Sequence, residues 1–243
     1  PNEKIIKYSS ELISRLDIKE VEIYDDIFNA DETRAKEIIN QILNIKRDIN
    51  FIFPNGLRTD ILSESFINFL ITNNTKYLSI AVESGSERIQ RLIRKRLDLK
   101  AVRDNTIKLS RSKILLHGFF MLGFPTETEE EINMTTNYAL DLPIHTASFF
   151  KLSPHPGTDI FNLLSKTQRD HILKNLHTLR YYSPQTNISN VSDERLNILH
   201  RNALLKFYLR PKQIFKIIKD EPFSGLVDGL NTFSHILAKR HNE

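Results

Sequence analysis

Small clusters of carboxylates, amides, hydroxyls and glycines recur along this 243-residue chain, each just beyond a short apolar run. In order they are Asp25-Asp26, Asn55-Gly56 with Arg58, Glu83-Ser84-Gly85-Ser86, Gly123-Phe124-Pro125 with Thr126-Glu127, and Pro154-His155-Pro156-Gly157. The chain has only 7 glycines, and Gly56, Gly85, Gly123 and Gly157 all fall in these clusters. Glycine at such a place permits a positive φ or a close backbone approach to a ligand, although turns between regular elements also call for it. Carboxylates pair with ammonium groups, amides and hydroxyls with hydroxyls, and bare backbone with a flat base. A ring of these groups suits a polar, hydroxyl-rich ligand such as a nucleoside.

Other chemistries are excluded or weakly supported. The sequence contains no cysteine, which removes disulfides, thiolate metal sites and a cysteine nucleophile. It contains no GxxxxGK[ST] phosphate loop, no HExxH or HxxxH pair, and no GxSxG elbow. His155 reads as a loop residue and His117 as a packed, hydrogen-bonded residue inside a strand, so no metal ligands are assigned. The net charge of +4 is spread over interspersed Lys, Arg, Asp and Glu, a mixed-sign surface that gives no nucleic-acid signature. No apolar run approaches the roughly 20 residues of a membrane span. Residues 1–20 read as a charged amphipathic helix rather than a secretory signal, and a cytoplasmic protein is the expectation.

The elements that must position these clusters follow from periodicity. Strands are expected at residues 21–24, 51–53, 77–82, 114–122 and 146–152, the second broken by Pro54-Asn55-Gly56. Helices are expected at 3–16, 31–45, 63–71 with Ser63 as N-cap, 87–96, 99–110 and 126–142. Strands recurring about every 30 residues with helices between them make βαβ units and a parallel sheet. Their nearly continuous apolar character suggests burial on both faces. Spacing leaves a doubly wound sheet and a (β/α) barrel open, the even period favouring the barrel. Beyond residue 158 the rhythm stops. Residues 160–180 look helical, 181–191 form a polar connection, and Ser192 caps a helix to Arg210 that Pro211 ends, with Leu196, Leu199, Ala203, Leu204 and Phe207 as its apolar stripe. The remainder to about Arg240 reads as helical with breaks at Gly225 and Gly229. The expected division is a barrel core over 1–160 and a helical region packed on it over 161–243.

The segments Asp25-Asp26-x-Phe28, Asn55-Gly56-Leu57-Arg58-x-Asp60, Glu83-Ser84-Gly85-Ser86-x-Arg88, Gly118-Phe119-Phe120-Met121-Leu122-Gly123-Phe124-Pro125-x-Glu127-Thr128 and Pro154-x-Pro156-Gly157-Thr158 occur in that order. Together they resemble the core of radical S-adenosylmethionine (SAM) enzymes, most closely the subgroup with a cobalamin-binding domain upstream. Phe207-Tyr208-Leu209-Arg210-Pro211 resembles the C-terminal region of that subgroup, so the likeness covers roughly residues 1–215. It implies an α/β fold, a partial (β/α)6 TIM-like barrel whose second to sixth strands are those above, with a C-terminal helical appendix. It also implies a cofactor-binding set: Asp25 and Asp26 at the SAM amino group, Glu83 with Ser84 near the ribose, and Lys95, well into the following helix, at the carboxylate. Gly123 and Pro125, with Pro154 at the end of the last strand, border the adenine, and Asn55 joins the set.

In the intact family member a 4Fe–4S cluster, reduced by a flavodoxin or ferredoxin, splits SAM into methionine and a 5′-deoxyadenosyl radical. That radical serves hydrogen abstraction, rearrangement or, with cobalamin, methyl transfer on a substrate the sequence does not reveal. The family's CxxxCxxC cluster loop and first strand are missing here. N-terminal truncation accounts for both and for the start at Pro1, and the expectation is a fragment unable to cleave SAM alone. The alternative is a cluster-less, non-catalytic barrel that binds a nucleoside-like ligand or a partner protein.

The absent thiols generate the first prediction. Anaerobic reconstitution of this chain with iron and sulfide is expected to give no 4Fe–4S absorbance, and dithionite with SAM no 5′-deoxyadenosine. Reductive SAM cleavage by these 243 residues alone would contradict it and implicate histidine or carboxylate iron ligands.

Overall fold

Apolar runs bounded by turn residues become five strands in the computed structural model, which describes residues 2–174 and 187–220. They are β1 (Glu20–Glu22), β2 (Asn50–Leu57), β3 (Thr75–Glu83), β4 (Leu115–Leu122) and β5 (Thr146–Lys151). All neighbours pair in parallel and the spatial order is the chain order, β1-β2-β3-β4-β5. A doubly wound sheet needs a reversal of strand order, and this sheet has none. The open alternative therefore resolves to a partial barrel with helices outside.

The helices are α1 (Asn2–Arg15), α2 (Glu32–Ile45), α3 (Glu64–Thr72), α4 (Glu87–Leu92), α5 (Leu99–Leu109), α6 (Glu129–Asp141), α7 (Asp159–Asn162), α8 (Lys166–Lys174), α9 (Asp193–Tyr208) and α10 (Pro211–Asp220). Polar N-caps start many of them. Ser63 accepts from the Phe66 N–H as expected, Ser192 from Arg195, and Thr128 forms a reciprocal capping box with Glu131. The α9 stripe is the one anticipated: Leu196, Leu199, Ala203, Leu204 and Phe207 are all buried. The Tyr208 hydroxyl then hooks β5, accepting from the Ala147 N–H at 3.0 Å and donating to its carbonyl at 2.8 Å.

Side-chain alternation shows where the core sits. On β4, Leu116, Phe120 and Leu122 are fully buried and share one continuous core with Ile38 and Ile39 of α2, Phe66 of α3, Val102 of α5 and Phe207 of α9. The intervening Leu115, His117, Phe119 and Met121 are only half-buried. This corrects the expectation of burial on both faces: helices cover the outer face, and the inner face lines the open side of the arc.

Several boundaries also differ. β2 does not break at Pro54 but runs on to Leu57 through a register shift against β3, where a missing N–H is tolerated. Gly56, at φ +89°, lets this irregular stretch lie against the Ser79 carbonyl, which an added Cβ would meet at 2.7 Å. α4 ends at Leu92 rather than Arg96, because Arg94 and Arg96 take left-handed φ values of 58° and 50°. Lys95 thus stands on a turn, not in a helix. The expected 160–180 helix is two helices, α7 and α8, and Pro211 opens α10 at the first-turn position that proline favours. Residues 175–186 and 221–243, with the expected breaks at Gly225 and Gly229, lie outside the described residues. Among those described, no helix is long and apolar enough to cross a membrane.

The loop after β3 touches α6 backbone to backbone. A Cβ on Gly85 would stand 2.8 Å from the Met134 carbonyl oxygen and 2.9 Å from the Thr135 Cα. Gly85→Ala is expected to lower stability by about 1–3 kcal/mol, the usual cost of overpacking, as a reduced urea midpoint. An unchanged midpoint would show that α6 moves aside freely.

Candidate functional site

Because the strands are parallel and consecutive, the residues that follow them gather at one edge of the sheet. There, at the ends of β1, β2 and β3, a cleft of about 270 Å³ is lined by Asp26, Asn55, Arg58, Ala81, Arg94 and Lys95, among others. Glu83, the last residue of β3, holds an uncommon left-handed φ of 67°. Its carboxylate accepts from Lys95 Nζ at 2.8 Å, with the two side chains 24% and 25% exposed. The turn made by Arg94 and Arg96 returns Lys95 to the strand end, and the Arg96 N–H donates to the Gln90 carbonyl at 3.2 Å. Positive φ at Glu83 itself and at the two residues flanking Lys95 is strain of the kind that accumulates at ligand clamps.

The neighbouring loops are pinned to each other. Asn29, buried in the loop after β1, donates to the Arg58 carbonyl and accepts from the Arg58 N–H, both at 2.9 Å. Arg58 binds Asp60 through two contacts at 3.1 and 2.6 Å, and those bonds raise its already high pKa. Asn55 donates to the Tyr24 carbonyl at 3.0 Å. Asp25 accepts from the Ile27 N–H at 3.3 Å and lies 3.7 Å from Arg34. Asp26 faces the cleft.

The ends of β4 and β5 form an apolar wall instead. Ile89, Phe124 and Leu152 are buried together, with Met121, Ile93, Ile160 and Ile188 against them. Gly123, at φ +91°, lies under Leu196, and Pro125 and Pro154 are buried. The Gly123 and Phe124 N–H groups donate to Glu127 Oε2 at 2.6 and 3.0 Å. Glu127 is fully buried, and its Oε1 has no partner among the described residues. Burial pushes this carboxyl up to about 7 against the pull of the two N–H donors. Beside it Arg88 grips Glu131 at 2.7 and 2.5 Å and Thr126 at 3.1 and 2.9 Å. That guanidinium is the main cause holding Glu131 down to about 2.

Of the residues singled out from sequence, Asp26, Asn55 and Lys95 share the cleft, and Glu83 joins them through Lys95. Asp25 is one residue behind. Ser84 turns away: it is wholly buried, 3.1 Å from the Thr135 hydroxyl, and accepts from the Ser86 N–H. Gly123, Pro125 and Pro154 build the wall and do not line the cleft. His155 sits in the exposed loop after β5, and His117 lies within β4 between two hydroxyls. Asn29 lies outside the sequence clusters, and Glu127, although in one of them, is not in the cofactor-binding set that the resemblance implies. A buried amide one turn before a helix has no sequence signature, whereas Glu127, two residues after Pro125 in a Gly-Phe-Pro loop, is marked by its place at a strand end. Among the described residues no three His, Asp or Glu side chains come together as a metal-holding group.

Comparison with known proteins adds the family. The model described as the Radical SAM superfamily matches residues 3–139. An uncharacterized methyltransferase of Pyrococcus horikoshii is 30% identical over 220 residues, covering 89% of this chain and 46% of the relative. Cytidylyl-2-hydroxyethylphosphonate methyltransferase of Streptomyces wedmorensis is 28% identical over 151 residues, 59% of this chain and 28% of the relative. The chain thus spans less than half the length of these relatives. Among solved structures, the radical SAM methyltransferase TsrM of Kitasatospora setae, with cobalamin and a [4Fe-4S] cluster bound, superposes with a TM-score of 0.57 at 15% identity. That match covers 66% of this chain and 32% of TsrM and speaks to the fold alone.

Glu127 generates a pH prediction. A carboxyl raised from 4.5 to about 7 by folding contributes stability that is fully present below pH 4.5 and is lost as the pH rises through 7. Glu127→Gln removes this dependence. Urea titrations at pH 4.5 and 7.5 are expected to show the difference between the two proteins moving by roughly 1–3 kcal/mol in favour of the variant at the higher pH. Parallel profiles would mean that Glu127 does not carry the raised pKa.

Proposed function

This chain belongs to the radical SAM superfamily, and on that premise we propose that its strand-end cleft cradles SAM in a protein whose chemistry is methyl transfer. The observation that carries the reading is the Glu83–Lys95 pair, an anion and a cation held at the rim of a cleft by two strained turns. SAM has matching groups. Its carboxylate would take Lys95, its ribose hydroxyls would donate to Glu83 as that pair opens, and its ammonium would sit against Asp26 with Asp25 behind. Asn55 holds the first two loops together at the cleft. Gly123, Pro125 and Pro154 offer a backbone-edged apolar wall for the adenine, which Glu127 stiffens from inside the loop. Ser84 is assigned a supporting role, anchoring the end of β3 to α6.

Bound SAM supplies an activated methyl sulfonium; this chain's own residues bind it, orient it and keep water from its apolar side. The [4Fe-4S] cluster does not fit these residues. The sequence has no cysteine and the described residues gather no substitute ligand set, so the cluster's ligands would have to come from outside this chain and no step is routed through it. No residue here is assigned to cobalamin. Methyl transfer is the activity carried by the names of its relatives from Pyrococcus horikoshii and Streptomyces wedmorensis. The whole protein would draw electrons from a flavodoxin or ferredoxin in the cytoplasm and act on a small molecule, with residues 1–160 as barrel core and 161–243 as its appendage. The absence of cysteine also favours a second reading, a non-catalytic nucleoside-binding barrel that uses the same cleft.

The test is calorimetric titration with S-adenosylhomocysteine. The chain is expected to bind it, and Glu83→Ala and Lys95→Ala each to weaken binding about tenfold, roughly 1.4 kcal/mol per lost charged contact. No binding, or an affinity unchanged from the parent chain in both variants, would remove the cleft as the SAM site.

A further inference from the structure

The inner face of the sheet has a chemistry of its own. The inward positions of β4 are Leu115, His117, Phe119 and Met121, flanked by Tyr77 on β3 and by Thr146, Ser148 and Phe150 on β5, all half-buried. Their rings form a continuous floor. Tyr77 and His117 are stacked with centroids 6.2 Å apart, His117 meets Phe119 edge-on at 4.7 Å, and Phe119 lies 6.0 Å from Phe150. His117 Nδ1 is 2.7 Å from the Thr146 hydroxyl and Nε2 is 3.1 Å from that of Ser148. Burial lowers this histidine to about 4, so its ring is neutral near pH 7.

A neutral imidazole has one N–H and one lone pair. One of the two hydroxyls therefore accepts from the ring and keeps its own O–H to give, and the other donates to the ring and keeps lone pairs. Thr146 and Ser148 together offer one donor and one acceptor beside a bed of ring faces. Along β2 to β5 the only charged side chain at an inward position is Glu83, at the cleft itself. A charged ligand on this floor would lose hydration without a counter-charge.

We infer that this inner face binds the substrate as a planar, uncharged ring carrying a hydrogen-bond donor and acceptor on one edge. The inference rests on reading the cleft as the SAM site. Ala81 lines that cleft, and Ser79 and Tyr77 follow it down the same face of β3, so a ring on the floor is continuous with the cofactor.

The experiment uses the full chain at pH 7.5 with benzimidazole as probe and with benzoate and benzamidinium as charged rings of similar size. Binding is followed by NMR of the 13C-labelled histidine rings, and S-adenosylhomocysteine is titrated into the same samples. Benzimidazole is expected to shift the His117 resonances and to bind at least tenfold more tightly than either charged ring. Phe119→Leu and Ser148→Ala are each expected to weaken it at least fivefold while S-adenosylhomocysteine affinity stays within twofold. Equal binding of a charged ring, no effect of either variant, or a dimer that Phe119→Leu dissociates while benzimidazole fails to bind would each overturn the inference. If benzimidazole meets the expectations but S-adenosylhomocysteine does not bind, the ring site stands and the cofactor reading falls. The converse result leaves the cofactor reading and removes the ring site.

Discussion

Parallel pairing of consecutive strands, without a single reversal, is the constraint on which the rest depends. It forces every strand-to-helix turn to the same edge of the sheet. It also brings the N-termini of α2, α3, α4, α6 and α7 toward that edge, each being the next α-helix after its strand. The positive ends of the helix dipoles and the unpaired N–H groups of the first turns then face one region. Asp31, Ser63, Ser86, Thr128 and Thr158 satisfy some of those N–H groups with side-chain oxygens. An acidic residue such as Glu83 is at home there, and so is an anionic group on a ligand.

A shared edge does not by itself hold a shape, because loops are where strain and motion collect. Two sets of contacts hold it here. On the polar side Asn29, Arg58 and Asp60 lock the turns after β1 and β2 to each other across 29 residues of sequence. On the apolar side Arg88, paired with Glu131, binds Thr126, itself at φ 59°, while the buried Glu127 carboxyl ties two successive backbone N–H groups. Between these stiffened halves stand the strained Glu83 and the turn bearing Lys95. A buried carboxyl and several left-handed residues all cost stability, and their concentration at one edge is what a binding site would require.

Much of this was legible from residue types. The strand cores, the Ser63 and Ser192 caps, the α9 stripe and the coincidence of polar clusters with strand ends all follow from local pattern. What pattern could not carry was tertiary. Pro54 interrupts a local strand signal, yet β2 continues because Gly56 can lie on Ser79 of its neighbour. Ser84 looks like its neighbour Glu83 in sequence, but Thr135, about fifty residues on, draws it away from the cleft. The end of α4 depends on left-handed arginines that no propensity scale favours. The half-buried inner face was hidden because alternation among Leu, His, Phe and Met reads as uniformly apolar.

Hydrogen–deuterium exchange of the chain with and without saturating SAM tests the central claim most directly. The account predicts slowed exchange in peptides covering residues 25–30, 55–60 and 83–96, with the opposite, N-terminal ends of the strands unchanged. Protection confined to those N-terminal ends, or none anywhere at saturation, would contradict it.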